Sequence, residues 1–145
     1  MYDRILLPTD GSQGNSRAVE QAIGLAAQSD ARLHVLFVVE DLPYAPEMMD
    51  GQVEARLREI GEEAISDIRQ RADDAGVSVE TALEDGTPHQ SILEYADEEG
   101  MDLIVMGTHG RSGLDRYLLG SVTERVVRGA DTPVLTVRVN GDEED

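Results

Sequence analysis

Glycine spacing gives this chain its first chemical lead. Gly107, Gly110, Gly120 and Ser121 form a G-x2-G-x9-G-S pattern between the apolar run Leu103-Ile-Val-Met106 and a segment starting at Ser121 that reads as a helix. Glycine lets backbone N–H groups approach an anion with no side chain in the way, and a helix start adds unpaired N–H donors and a partial positive charge. Phosphate binding by the main chain is the chemistry implied. The spacing matches neither of the commoner nucleotide loops, since the Walker loop needs G-x4-G-K-[ST] and the dinucleotide loop needs G-x-G-x-x-G. The chain contains no lysine at all.

Other reactive groups are sparse. There is no cysteine, which removes disulfides, thiol catalysis and zinc–thiolate sites from consideration. His34 lies in an apolar run, His89 at a helix start and His109 in the glycine loop, a scatter that speaks against a metal site and for core, cap or loop roles. Acidic residues outnumber basic ones 30 to 12, for a net charge of −18. That balance argues against nucleic acid as a partner, because phosphates call for clustered basic residues. The excess resembles the acid-rich surfaces of proteins from salt-loving cells, with an ordinary acidic protein as the alternative. At ~1 M salt the screening length is only about 3 Å, so such a surface is tolerated there and repels itself in dilute buffer.

The elements that must position these groups follow from hydropathy. Apolar runs alternate with segments of helical period, the pattern of a parallel sheet covered on both faces. Strands are expected at Asp3–Pro8, with Pro8 as terminator, and at Leu33–Val39, Val77–Leu83, Asp102–Met106 and Val134–Val139. Helices are expected from Ser12 to Ser29, from about Gly51 to Ala75, from Pro88, and from Ser121. The two prolines of segment 40–51 make it a loop, and Ser121 with Glu124 reads as a capping box. One domain over 1–140 and a solvated acidic tail over 141–145 are expected. No apolar run approaches the ~20 residues of a membrane span. Tyr2-Asp3-Arg4 leads straight into the first strand, so no signal peptide and a cytoplasmic address are expected.

Taken together, the glycine motif, Ile5-Leu-Leu-Pro-Thr-Asp10-Gly-Ser12 at the front and Thr132-Pro-Val-Leu-Thr-Val137 at the back resemble the ATP-binding signature of the universal stress protein family, and the likeness covers nearly the whole chain. The resemblance implies an α/β fold: a doubly wound, five-stranded parallel sheet in the order 3-2-1-4-5 with helices on both faces. Strands 1 and 4 are then neighbours where the winding reverses, and ligands of open α/β sheets bind in the crevice at that point.

Residue by residue, the resemblance assigns Asp10 to the ribose of an adenine nucleotide, Pro8 and Thr9 to the wall, and the backbone of Val38 to the adenine edge. Gly107, Thr108, His109, Gly110, Arg111, Ser112 and Gly113 surround the triphosphate. Gly120, Ser121, Val122 and Thr123 close the loop, with Ser121 and Thr123 offering hydroxyls as well as N–H groups. The ligand implied is ATP, or else ADP or AMP. Plainer roles compete: Asp10 as a turn or cap residue, His109 as a loop-shaping residue, Arg111 and Arg116 as solubilising charges. Asp10 or Asp115 is a candidate for Mg2+.

Without a P-loop lysine or a carboxylate pair, no catalytic residue stands out, and a nucleotide-binding protein with at most slow ATP hydrolysis is expected. Two alternatives stay open. One is an interaction module in which a homodimer forms through the last strand, about 133–139, and nucleotide is dispensable. The other is a flavin domain, poorly served by a single Phe and no Trp.

Overall fold

The computed structural model describes residues 2–11, 15–40, 47–108 and 120–138. Five strands, β1 (Arg4–Thr9), β2 (Arg32–Glu40), β3 (Val79–Gly86), β4 (Leu103–Gly107) and β5 (Val134–Val137), alternate with four helices, α1 (Ser16–Ser29), α2 (Glu47–Asp74), α3 (Pro88–Glu98) and α4 (Ser121–Gly129). All strand pairs are parallel, in the order β3-β2-β1-β4-β5. The expected doubly wound sheet is therefore the observed one.

Strand parity divides the interior. Ile5, Leu7, Leu33, Val35, Leu103 and Val105 face α1 and α2, packing on Ala18, Ala22, Ala26, Ile68 and Ala72. The intervening residues Leu6, Leu36, Ile104 and Met106 face α3 and α4, packing on Ile92, Tyr95, Ala96 and Val126. His34 belongs to this second face: it is buried, with Nδ1 2.8 Å from the Tyr95 hydroxyl. Burial lowers the imidazole below its ordinary 6.5 and pushes the Tyr95 phenol up to about 12. His34 thus serves as a core residue.

Several boundaries differ from expectation. Pro8 does not end β1, which runs on to Thr9. The β1–β4 register pairs Ile5 with Leu103 and Leu6 with Ile104, so Pro8 lies past the last of these pairs, where the strands part and no donor toward β4 is needed. Helix α1 starts at Ser16 rather than Ser12. Helix α2 begins at Glu47, directly after Pro46, rather than near Gly51. Strand β3 extends to Gly86, further than the apolar alternation reached. Strand β5 stops at Val137, and Val139 lies outside the described residues.

Helix α2 packs tightly on the sheet at Gly61. A Cβ built on Gly61 would lie 2.5 Å from Phe37 Cδ1 and 2.8 Å from Leu83 Cδ1, whereas one on the α1 residue Gly24 meets nothing within 4 Å. We expect Gly61→Ala to lose about 1–3 kcal/mol by overpacking against buried Phe37, and Gly24→Ala to gain about 0.5–1 kcal/mol through helix propensity. Opposite shifts in thermal unfolding midpoint check the pair.

Candidate functional site

The site is built where β1 and β4 separate. Past Leu6 and Ile104 the two strands diverge into their loops, and a cavity of about 360 Å3 opens between them, within the range of small-molecule pockets. Leu36, Ile92 and Met106, the upper layer of the second core face, supply an apolar floor. Pro8, Thr9, Asp10 and Asn15 line one wall, Gly107 and Gly120 to Thr123 the opposite wall, and Val38, Glu40 and Pro88 the remaining side.

On the β1 side the wall is held by side chains. The Thr9 hydroxyl oxygen accepts the Gly11 N–H at 3.1 Å, which shapes the turn that glycine's positive φ allows. Asn15 Nδ2 donates to Asp10 Oδ1 at 2.9 Å. Asn15 occupies the N-cap position of α1.

On the β4 side the main chain is stitched in three places. Thr108 N–H donates to the Val137 carbonyl at 3.0 Å, and Gly120 N–H donates to the Thr108 carbonyl at 2.6 Å. The buried hydroxyl of Thr123 donates to the Gly107 carbonyl at 2.8 Å. This bond engages the Thr123 hydroxyl proton within the protein. The capping box is corrected. Gly120 is the N-cap, extended at φ −63° and ψ 159°, Ser121 is the first helical residue, and no side chain caps α4. The exposed Ser121 instead stands at the cavity wall, at the positive end of the α4 dipole.

The structure therefore brings Pro8, Thr9, Asp10, Val38, Gly107, Gly120, Ser121, Val122 and Thr123 around one cavity. Thr108 is not among the lining residues; its main chain joins α4 to β5. His109, Gly110, Arg111, Ser112, Gly113, Asp115 and Arg116 lie outside the described residues. Sequence reasoning missed Asn15, Leu36, Glu40, Pro88, Ile92 and Met106. For Leu36 and Glu40 a signal existed: they flank Val38 at steps of two and so share its face of β2. Among the described lining residues none is basic, so the donors available to an anion there are N–H and hydroxyl groups. Among the described residues no group of three or more His, Asp or Glu stands together as a metal site. No helix among them is long and apolar enough to cross a membrane.

An open, doubly wound α/β protein with its cleft at the topological switch point is the class these features define. The family model for the Universal stress protein family matches residues 1–138. Universal stress protein MJ0531 of Methanocaldococcus jannaschii is 39% identical over 141 residues, 95% of this chain and 83% of that protein. Among solved structures, UspA from Lactobacillus plantarum aligns with a TM-score of 0.82 at 30% identity, over 94% of this chain and 98% of that one. A universal stress protein in complex with cAMP aligns with a TM-score of 0.70 at 35% identity, over 94% and 97%. The chain belongs to the universal stress protein family.

Thr123 gives the site its most direct test. Thr123→Val removes the donor and leaves the Gly107 carbonyl unpaired at a buried position, which should cost about 1–3 kcal/mol. Thr123→Ser, which keeps the hydroxyl, should retain most of that stability in denaturant unfolding.

Proposed function

We propose that this universal stress protein is a cytoplasmic stress-response regulator that binds ATP, or another adenine nucleotide, in the cleft between β1 and β4. One observation carries the reading. The residues nominated separately by the front motif and by the closing half of the glycine motif line the same cavity, at the place where open α/β sheets hold ligands. The cAMP complex of a relative at 35% identity supports an adenine ligand. In this reading the base lies over Leu36, Ile92 and Met106 beside the Val38 backbone. Asp10 meets the ribose, and the G-x2-G-x9-G-S segment with the N-terminus of α4 receives the phosphates. Mg2+ would enter with the phosphates, with Asp10 or Asp115 as the carboxylate to hold it.

The protein acts by binding. A chain without lysine lacks the ammonium group that P-loop enzymes place on the β- and γ-phosphates, and hydrolysis, where it occurs, is slow. The acidic surface makes molar KCl the natural assay condition. Mass spectrometry of nucleotide released from freshly purified protein should find an adenine nucleotide. Gly110→Val, which sets a branched side chain where the backbone approaches phosphate, should lower its occupancy at least about tenfold. Equal occupancy would refute the loop assignment.

Homodimerisation through the last strand is a second reading, supported by the edge position of β5 and by two exposed large hydrophobics, Leu135 on β5 at 37% and Val127 on α4 at 42%. An edge strand with apolar side chains is open to pairing with a second copy about a two-fold axis. Light scattering in molar KCl should report a dimer, and Leu135→Arg should shift it toward monomer. A native monomer would remove this reading.

A further inference from the structure

Among the described residues, one buried side-chain polar atom has no hydrogen-bond partner: Nε2 of His34. The ring stands on β2 at 3% exposure, and its other nitrogen, Nδ1, lies 2.8 Å from the hydroxyl of Tyr95 on α3. The two rings meet edge to face with centroids 5.7 Å apart. A neutral imidazole suits this place, because one nitrogen donates, the other accepts, and the Tyr95 hydroxyl can serve either at Nδ1. The imidazolium does not. Both of its nitrogens are donors, so Nδ1–H would donate to the Tyr95 oxygen while Nε2–H became a charged, buried donor with no acceptor.

The surrounding charges do not reverse this. Glu80 on β3, the register partner of His34, and Glu99 at the C-cap of α3 favour the charged ring, whereas Arg32 on β2 and Arg4 on β1 oppose it. Arg32 stands 3.8 Å from Glu80, and Arg4 Nη1 donates to the Glu99 carbonyl at 2.6 Å. From β4 and α4 this face receives apolar Ile104 and Val126. Burial outweighs the two carboxylates and holds the imidazole below its ordinary 6.5. The pair also has a place relative to the cleft: His34 precedes Leu36 by two residues on β2, and Tyr95 follows Ile92 by three on α3. Those spacings keep each pair of residues on one face, so the rings form the layer beneath the cavity floor.

We propose that the His34–Tyr95 pair is an acid-sensitive latch: neutral, it holds α3 against β2, and protonation of the imidazole loosens α3 and withdraws Ile92 and Pro88 from the cleft. Its effect on ligand affinity rests on the adenine-nucleotide reading above. Unfolded, His34 takes its proton near the ordinary 6.5; folded, it does so at lower pH. Its contribution to stability is therefore whole above 6.5 and declines as pH falls from there toward the folded value. Glu84 beside α3 is raised by burial and by Glu98, Glu94 and Glu99, so the comparison needs a chain that lacks only the imidazole.

The test uses the whole chain in molar KCl, native and His34→Gln, at about pH 7.5 and about pH 5.5, on either side of the ordinary histidine value. Glutamine keeps an amide for the Tyr95 hydroxyl and does not titrate, and the comparison cancels other ionisations, Glu84 and the nucleotide phosphates included. In urea, the native unfolding constant should rise at least about threefold more than the variant's over that interval. Hydrogen exchange should place the native loss in the α3 amides while those of α1 keep their protection. Calorimetry with ATP should show native affinity falling at least about threefold more than the variant's. A His34 ring resonance that titrates at or above 6.5 in the native chain overturns the latch, even where the glutamine variant does not fold. Equal acid losses of stability in the two chains, or exchange rising in α1 as much as in α3, overturn it as well. Affinities that fall equally in both chains overturn the coupling to the cleft. A native chain that binds no ATP at either pH refutes the adenine-nucleotide reading, while unfolding and exchange still decide the latch.

Discussion

The cleft depends on how β4 is handed on to α4. A carbonyl at the end of a strand needs a donor if it is buried, and the Gly107 carbonyl finds one in the hydroxyl of Thr123, 2.8 Å away. That bond ties the first turn of α4 to the last residue of β4. Gly120, joined to the Thr108 carbonyl, and Thr108, joined to Val137, extend the tie to the sheet edge. With α4 anchored in this way, the separation of β1 from β4 beyond Leu6 and Ile104 remains a gap instead of closing.

The gap is continuous with the core beneath it. His34 with Tyr95, then Leu36 with Ile92, form successive layers of one sheet face, and the cavity floor is the uppermost of them. The apolar floor lies under walls that carry N–H and hydroxyl groups on the β4 side and the carboxylates of Asp10 and Glu40 elsewhere. The long-range field runs the other way. With a net charge of −18 the protein repels a polyanion at a distance. Screening lengths of about 3 Å at ~1 M salt remove that repulsion and leave the short-range donors in control. The acidic surface and a cleft whose described lining lacks basic side chains are therefore compatible in one protein.

How much of this was legible in the residues depended on the range of the forces involved. The strands were readable because burial on both faces of a parallel sheet produces unbroken apolar runs such as Leu33–Val39. The helix α2 was readable in its apolar repeat, but its start was not, because the two prolines of segment 40–51 read as a loop while the helix already runs from Glu47. The Ser121–Glu124 pattern misled because a cap is decided by backbone geometry. Gly120 adopts the extended conformation one residue earlier, and tertiary bonding draws Thr123 rather than Ser121 into the joint. Asp10 was nominated by the family resemblance. Its partner Asn15 was not, because a bond between two side chains across a turn leaves no periodic trace.

Tolerance of bulk varies from place to place along the sheet. Toward α2 the packing is tight at two glycines: a methyl on Gly61 would intrude on Phe37, and one on Gly11 would stand 2.7 Å from Ile60 Cγ2. Toward α3 there is unfilled volume above Leu36, Ile92 and Met106. Trimming or enlarging those three side chains would resize the chamber while leaving the loops that frame it unedited. A redesigner seeking a bulkier or slimmer guest should therefore work from beneath, on the hydrophobic bed.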